Sequence, residues 1–238
     1  MQLDRRALDN LNLQSLHAAR NWSKADVALV EWPPESGRRV VIKDLRRRPL
    51  WFRLLYGRHT LTREWNAMQA LREIEGVPLA VARPDADCLA IEFFDGTPLK
   101  NLAPDAVSAR SVAALESVMQ AAHARGVTHG DLHRSNVLVA PDGAIAVIDW
   151  ASACVFGNAR RGWKARTFAE LCALDRRAVG KIKARYAPAL VSLDEQEMLI
   201  HGSSPLYRKV KSLRHILHWA LGRRKKQTPK RAARNAKD

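Results

Sequence analysis

His129-Gly130-Asp131-Leu132-His133-Arg134-Ser135-Asn136, with Asp149 thirteen residues beyond it, is the stretch whose reading decides this chain. Asn136 opens a short apolar run (Val137, Leu138, Val139), Pro141-Asp142-Gly143 carries turn chemistry, and Ile145 to Ile148 form a second run. Two short strands joined by a three-residue loop containing Gly make a hairpin. Pairing outward from the turn sets Asn136 opposite Asp149 at the open end. An amide oxygen beside a carboxylate offers hard oxygen ligands, which suit a Mg²⁺ ion that keeps substrate phosphates in its shell. Asp131 lies on the loop entering the same site, where a carboxylate can take the proton of an attacking hydroxyl. A lone Asp-x4-Asn means little, because both residues are common in loops through bonds to nearby backbone. The His-Gly-Asp opening, the hairpin and the later Asp together carry the functional reading.

An Asp-x4-Asn loop followed by a metal-binding Asp is a kinase signature. His-Gly-Asp-Leu-His, in place of His-Arg-Asp-Leu, resembles the small bacterial branches of the kinase-like superfamily. These include the lipopolysaccharide core (Kdo and heptose) kinases, the RIO kinases and the aminoglycoside phosphotransferases. The resemblance covers about residues 20 to 200. It implies an α+β bilobal fold, with a small β-rich lobe over 1–94 and a reduced helical lobe over 95–221. It also implies ATP and Mg²⁺ as cofactors, Asp131 as the catalytic base, and Asn136 and Asp149 as metal ligands.

Bulk properties agree with a two-lobed globular protein: 238 residues, 47% hydrophobic and 27% charged. Cys88, Cys154 and Cys172 form neither a metal-spaced cluster nor a disulfide framework, which points to a reducing compartment. Met1-Gln2-Leu3-Asp4-Arg5-Arg6 lacks the apolar region of a signal peptide, and no apolar run approaches the roughly 20 residues that span a bilayer. A cytoplasmic protein is expected. The formal charge of +16 favours polyanionic partners: nucleic acid, an anionic membrane face or phosphorylated substrates.

Upstream, residues 1–20 show no decisive pattern. Asp26 to Glu31 alternates, with Val27 and Leu29 on one side, Pro33-Pro34-Glu35-Ser36-Gly37 breaks the chain, and Val40-Val41-Ile42-Lys43 follows as a β-branched strand. A lysine ending a strand is usually just solvated, so Lys43 needs a partner. Leu61, Trp65, Met68 and Leu71 recur at a helical period, and Glu64 shares the face of Leu61, Met68 and Leu71. A carboxylate there is costly unless paired, and Lys43 would satisfy it; otherwise Glu64 lies at the edge of the stripe and reaches water. By the resemblance, Lys43 holds the α- and β-phosphates of ATP and Glu64 pairs with it. No Gly-x-Gly-x-x-Gly precedes the first hairpin. Ala18 to Lys24 stands there instead, where backbone N–H groups and the Ser23 hydroxyl would meet phosphate.

Six arginines lie between Lys43 and Glu64, interleaved with Trp51, Phe52, Leu54, Leu55 and Tyr56. Such a mixture suits a membrane interface, an anionic substrate, single-stranded nucleic acid or simply a linker folded onto the small lobe. Val77 to Ala82 and Cys88 to Phe94 read as strands around an Arg83-Pro84-Asp85 turn. Glu92-Phe93-Phe94-Asp95-Gly96 resembles the hinge between kinase lobes, which implies adenine against the Glu92 C=O and Phe94 N–H, with Val41 above and Leu138 below. Val112, Leu115, Met119 and Ala122 make a helical stripe closed by Gly126. Trp150-Ala151 stands where protein kinases have Phe-Gly, no Ala-Pro-Glu follows, and a helix is expected over Arg166 to Tyr186. Leu206, Val210, Leu213, Leu217 and Ala220 mark a basic amphipathic helix, and 222–238 holds eight Lys/Arg and one Asp, read as a disordered tail.

These features predict an ATP- and Mg-dependent kinase acting on a hydroxyl. The expected acceptor is a sugar of a lipopolysaccharide core at the cytosolic membrane face, with the C-terminal helix and tail as a peripheral membrane contact. The alternatives are a RIO-like protein serine/threonine kinase, whose basic surface would engage ribonucleoprotein, and a nucleotide-binding pseudokinase scaffold. An aminoglycoside acceptor fits poorly, because a cationic substrate calls for an acidic cleft.

Overall fold

The computed structural model describes residues 3–11, 13–17, 24–157 and 161–200. Ser23, the basic amphipathic helix from Leu206 and the tail lie outside the described residues. A short helix α1 (Arg5–Asp9) opens the chain, capped by the Asp4 carboxylate accepting from Ala7 N–H at 2.8 Å. The strands β1 (Gln14–His17), β2 (Asp26–Glu31) and β3 (Arg39–Asp44) follow. Helix α2 (Leu50–Phe52) then passes through a π turn (Arg53–Gly57) into α3 (Arg58–Ala70). Two more strands, β4 (Ala80–Asp85) and β5 (Cys88–Glu92), complete an antiparallel five-stranded sheet of order β1-β2-β3-β5-β4.

The two faces of this sheet do different work. Val40 and Ile42 of β3 join Val30, Trp32, Cys88 and Ala90 under α1, with Leu3 and Leu8 closing that core. By the period of a strand, Val41 and Lys43 point the other way, and the register sets Leu29 and Ile91 beside Val41 and Val27 and Leu89 beside Lys43. That second face turns toward α3 and the other lobe.

Sequence reasoning placed the fourth strand too early. Arg83-Pro84-Asp85 is not a turn but the end of β4, and the turn comes at Ala86-Asp87. Proline is tolerated because β4 is the edge of the sheet and its pairing with β5 shifts register twice.

After the hinge come β6 (Thr97–Pro98), α4 (Ala109–Ala124), β7 (Val127–Thr128), β8 (Val137–Val139), β9 (Ile145–Val147) and β10 (Cys154–Val155). Helix α5 (Gly162–Tyr186) begins four residues before the expected Arg166, ends before Pro188 as expected, and precedes α6 (Leu193–Ile200). One core joins α3, α4, the β8–β9 hairpin and α5, so the lobes share their apolar interior. No helix among the described residues is long and apolar enough to cross a membrane.

Candidate active site

The β8–β9 hairpin carries the site and has the expected turn, with one difference in register. Val137 pairs with Val147, and Ile148 N–H donates to Asn136 O at 2.9 Å, so Asn136 faces Ile148 and Asp149 lies one residue beyond. Counting from the Ala140–Ala144 closure (2.8 Å) gives the same register. Asp149 then takes a left-handed conformation (φ 66°, ψ 60°) that turns the chain sharply. Such backbone costs about 1–3 kcal/mol for a non-glycine residue and survives where the surroundings fix it.

Those surroundings come from the small lobe. Lys43 Nζ donates to Glu64 Oε1 at 2.6 Å and lies 3.5 Å from Asp149 Oδ1. The Glu64 side chain is 1% exposed, so it does not reach water at the edge of its stripe. It also accepts from the backbone N–H of Trp150. Burial raises the Glu64 carboxyl above its ordinary value, against the pull of Lys43. Burial also works against the charge on Lys43, but Glu64 and Asp149 overcome it and hold the ammonium above its ordinary value. Lys43, in turn, holds Asp149 below the ordinary carboxylate range. The two shifts within the Lys43–Glu64 pair pull opposite ways on its proton. Asp149 favours the charge on Lys43 and, as a like charge, adds to the upward push on Glu64.

The large lobe holds the loop bearing Asp131 through a residue that sequence reasoning missed. Asp175 of α5, 1% exposed, accepts from His129 N–H at 2.7 Å and from Gly130 N–H at 3.0 Å, and lies 3.1 Å from His123 Nε2. His129 Nε2 meets Ile148 O at 3.1 Å and Asp131 N–H meets Nδ1 at 3.3 Å, a pattern that fits the neutral Nε2–H tautomer. Burial lowers the His129 pKa and favours the same neutral form. The Trp150 ring packs 4.7 Å from the His129 ring. Gly130 has φ +72°, and a Cβ there would stand 2.7 Å from Ser152 O, so the close backbone leaves no room for the arginine of a His-Arg-Asp-Leu loop.

Arg63, read from the sequence only as one of six basic residues, reaches the same segment. It donates to Ser152 O at 2.7 Å and to Ala153 O at 2.9 and 2.8 Å. The strand pairing of Cys154 with Thr128 holds the segment from the other side. Only adjacency to Glu64 on the helix could have signalled Arg63; nothing in the sequence marked Asp175.

Asn136 Nδ2 donates to Asp131 O at 3.1 Å, which leaves the amide oxygen as the end available to a cation. With the half-exposed Asp149 carboxylate it forms a set of hard oxygen donors, and these fit Mg²⁺ if phosphates and water complete its shell. Among the described residues no group of three or more His, Cys, Asp or Glu could hold a metal by itself. The Asp131 carboxylate is 25% exposed, with His133 Nε2 4.0 Å away.

Of the residues expected around a nucleotide base, Val41 is half-buried on the inner face of the sheet, and Leu138 is half-buried between the buried Val137 and Val139. Glu92 N–H bonds to Leu79 O and Phe93 N–H to Arg39 O, so neither of these bonds uses the Glu92 C=O or the Phe94 N–H. Two surface hollows lie elsewhere: about 430 Å³ beside Trp32, Arg39 and Phe93, and about 1060 Å³ behind the hinge beside Gly76, Phe94 and Arg110. Neither contains Lys43, Asp131, Asn136 or Asp149.

Comparison with known proteins agrees with this geometry. Residues 67–156 match the phosphotransferase enzyme family (APH), a span that holds the hinge, the catalytic loop and Asp149 but less than half the chain. No curated protein sequence matches significantly. The structure is similar to that of the Rio2 kinase–ADP/Mg²⁺–phosphoaspartate complex from Chaetomium thermophilum, with a TM-score of 0.57 and 19% sequence identity over 87% of this chain. The chain has a kinase-like bilobal fold. It resembles the RIO type, and spans 63% of the length of the Rio2 chain. Within the kinase-like fold, α3 holds the place of the helix that presents a glutamate to the strand lysine, and Glu64 meets Lys43 there.

Proposed function

We propose that the protein is an ATP- and Mg-dependent kinase that transfers the γ-phosphoryl group to a hydroxyl. The observation that carries this reading is the contact of Lys43 Nζ with both Glu64 and Asp149, at 2.6 and 3.5 Å, beside the loop bearing Asp131 and Asn136. Lys43, fixed by Glu64, orients the α- and β-phosphates; Asn136 and Asp149 would hold Mg²⁺; Asp131 accepts the proton of the attacking hydroxyl. The ion, when bound, neutralises charge on the phosphates. Val41 and Leu138 enclose the adenine, with Glu92 C=O and Phe94 N–H at its edge. Catalysis of this kind rests on positioning and charge, so few residues need to carry it. Their joint retention argues against a pseudokinase scaffold.

The acceptor we propose is a sugar hydroxyl of a lipopolysaccharide core, met in the cytoplasm at the inner membrane face. Two features support it: the strong positive charge, suited to an anionic glycolipid, and the lack of an Ala-Pro-Glu motif in the described segment between Asp149 and α5. The fold match to Rio2 favours a second reading, a RIO-like protein serine/threonine kinase. ATP consumption by purified protein with core oligosaccharide, with protein and with no acceptor distinguishes them. Turnover stimulated by the oligosaccharide is expected. Stimulation by protein alone selects the second reading, and nucleotide binding without turnover under any condition overturns the kinase reading.

A further inference from the structure

We propose that Arg134, with Lys100 and Arg185, binds a phosphate group carried by the acceptor sugar. Tyr186, the last residue of α5, is the fixed point. It is buried, and its hydroxyl donates at 2.5 Å to Leu99 O, in the turn Leu99–Asn101. That spends the one phenol proton, so the same oxygen accepts from Arg134 Nη1, at 3.4 Å. Lys100 N–H closes the knot by donating to Arg134 O at 3.1 Å. The Arg185 guanidinium carbon lies 5.6 Å from the centre of the Tyr186 ring. Three cations from three elements thus stand around Tyr186, beside the loop that bears Asp131.

Among the described residues none of these three cations makes an ion pair. Asp105, on the turn Pro104–Ala106 that packs against α5, is exposed and pairs with none of them. Arg134 is the telling case because it is half-buried. Other half-buried arginines are tied more firmly: Arg48 and Arg58 meet carboxylates, Arg63 and Arg177 meet backbone carbonyls, and Arg83 meets the Thr62 hydroxyl at 2.7 Å. Arg134 spends one of its five N–H groups on a long bond to a neutral oxygen. Its charge is partly desolvated without a counter-charge, which is costly until an anion arrives. The remaining fork suits the paired oxygens of a phosphate or a carboxylate. A single carboxylate would leave the three cations two charges in excess, whereas a phosphate monoester brings about −1.5 to −2 at neutral pH. Asp131 lies three residues earlier, so the two Cα atoms are at most about 11 Å apart, and one phosphorylated sugar can reach from Arg134 to the base.

The sugar is the acceptor of the proposed function, on which this subsite rests; binding is measured without turnover so that the two readings fail separately. Full-length protein without nucleotide is titrated with glucose 6-phosphate, with glucose and with a phosphoserine peptide, followed by ligand-observed NMR. Glucose 6-phosphate is expected to bind, more weakly as salt is raised, and to stay bound in excess Mg·ADP, while glucose should not bind. Arg134→Ala should lower the affinity about tenfold or more, and Arg134→Lys should restore only part of it, since an ammonium lacks the fork. Lys100→Glu and Arg185→Glu, at exposed positions where folding is not at stake, should each lower it about fivefold. Unchanged affinity in both charge reversals overturns the proposal, whatever the fate of Arg134→Ala. So does displacement by Mg·ADP, which would put the phosphate in the nucleotide's place, or the absence of glucose 6-phosphate binding. Tighter binding of the phosphoserine peptide overturns it as well, since the substrate would then be a protein.

Discussion

Glu64 and Asp175 are both carboxylates at 1% exposure, one in each lobe, and they are held in opposite ways. Glu64 is satisfied chiefly by a charge: Lys43 comes from a different element, and Trp150 N–H adds a bond from the segment after Asp149. Asp175 is satisfied by the backbone N–H groups of His129 and Gly130, with His123 beside it. The first arrangement joins three separate elements, β3, α3 and the segment after Asp149, and depends on all of them being in place. The second builds one loop into the body of its lobe. A buried acid paired with the lysine of a neighbouring strand fixes that lysine; a buried acid under a loop fixes the shape of the loop.

The largest effects belong to the groups that both acids position. Asp131→Asn and Asp149→Asn should each lower phosphoryl transfer by about two to four orders of magnitude, measured as initial rates at saturating Mg·ATP. A smaller loss from either would mean that the cleft is not where the chemistry occurs.

The comparison itself is sharpened by Glu64→Gln and Asp175→Asn. Glu64→Gln should raise KM for ATP and lower kcat/KM by about a hundredfold, through misplacement of Lys43, with only a small shift in denaturant midpoint. Asp175→Asn turns an NH₂ group toward the N–H donors that the carboxylate accepts. It should cost about 1–3 kcal/mol of unfolding free energy by urea titration. Reversal of this order, with Glu64 the structural residue and Asp175 the kinetic one, would break the distinction.

Arg63→Ala should lower kcat by about tenfold while leaving the melting temperature within a few degrees, because the carbonyls of Ser152 and Ala153 lose their clamp. Arg63→Lys should not restore it, since one ammonium cannot reproduce the forked contact. Full activity in both variants would make the clamp incidental.

The smallest effect is a pH dependence of stability. His129 is buried neutral, with its pKa held below the ordinary imidazole value of about 6.5. Between those two values the unfolded chain binds more protons than the folded one. The stability His129 contributes is therefore complete above about 6.5 and is lost as pH falls through the folded value. Urea midpoints measured from pH 7.5 down to 5 should fall, and His129→Gln should flatten that slope.

The hairpin and the loop from Asp131 to Asn136 were legible because their residues are close in sequence and the turn between them is marked by Pro141, Asp142 and Gly143. Lys43 and Glu64 were legible as a pair because a carboxylate on an apolar stripe demands a partner. Asp175 was not, because an aspartate on a long helix gives no sign that two loop N–H groups 45 and 46 residues earlier will find it. The arginine-rich stretch was ambiguous for a related reason. Arg53 and Arg58 are fixed by Asp87, 34 and 29 residues later, and only the fold of the sheet brings that turn under the helix. The hairpin register slipped by one in the reading because Asn136 and Asp149 were paired by role, whereas the Ala140–Ala144 closure sets Ile148 opposite Asn136.

The central claim is that Asp149 serves metal and nucleotide while Asp131 serves the acceptor proton. Calorimetric titration of ATP into the Asp131→Asn and Asp149→Asn proteins, with and without Mg²⁺, tests it most directly. Asp131→Asn should bind Mg·ATP about as tightly as wild type, and Asp149→Asn should lose the Mg-dependent part of that affinity. Comparable loss in both variants, or none in either, would contradict the account.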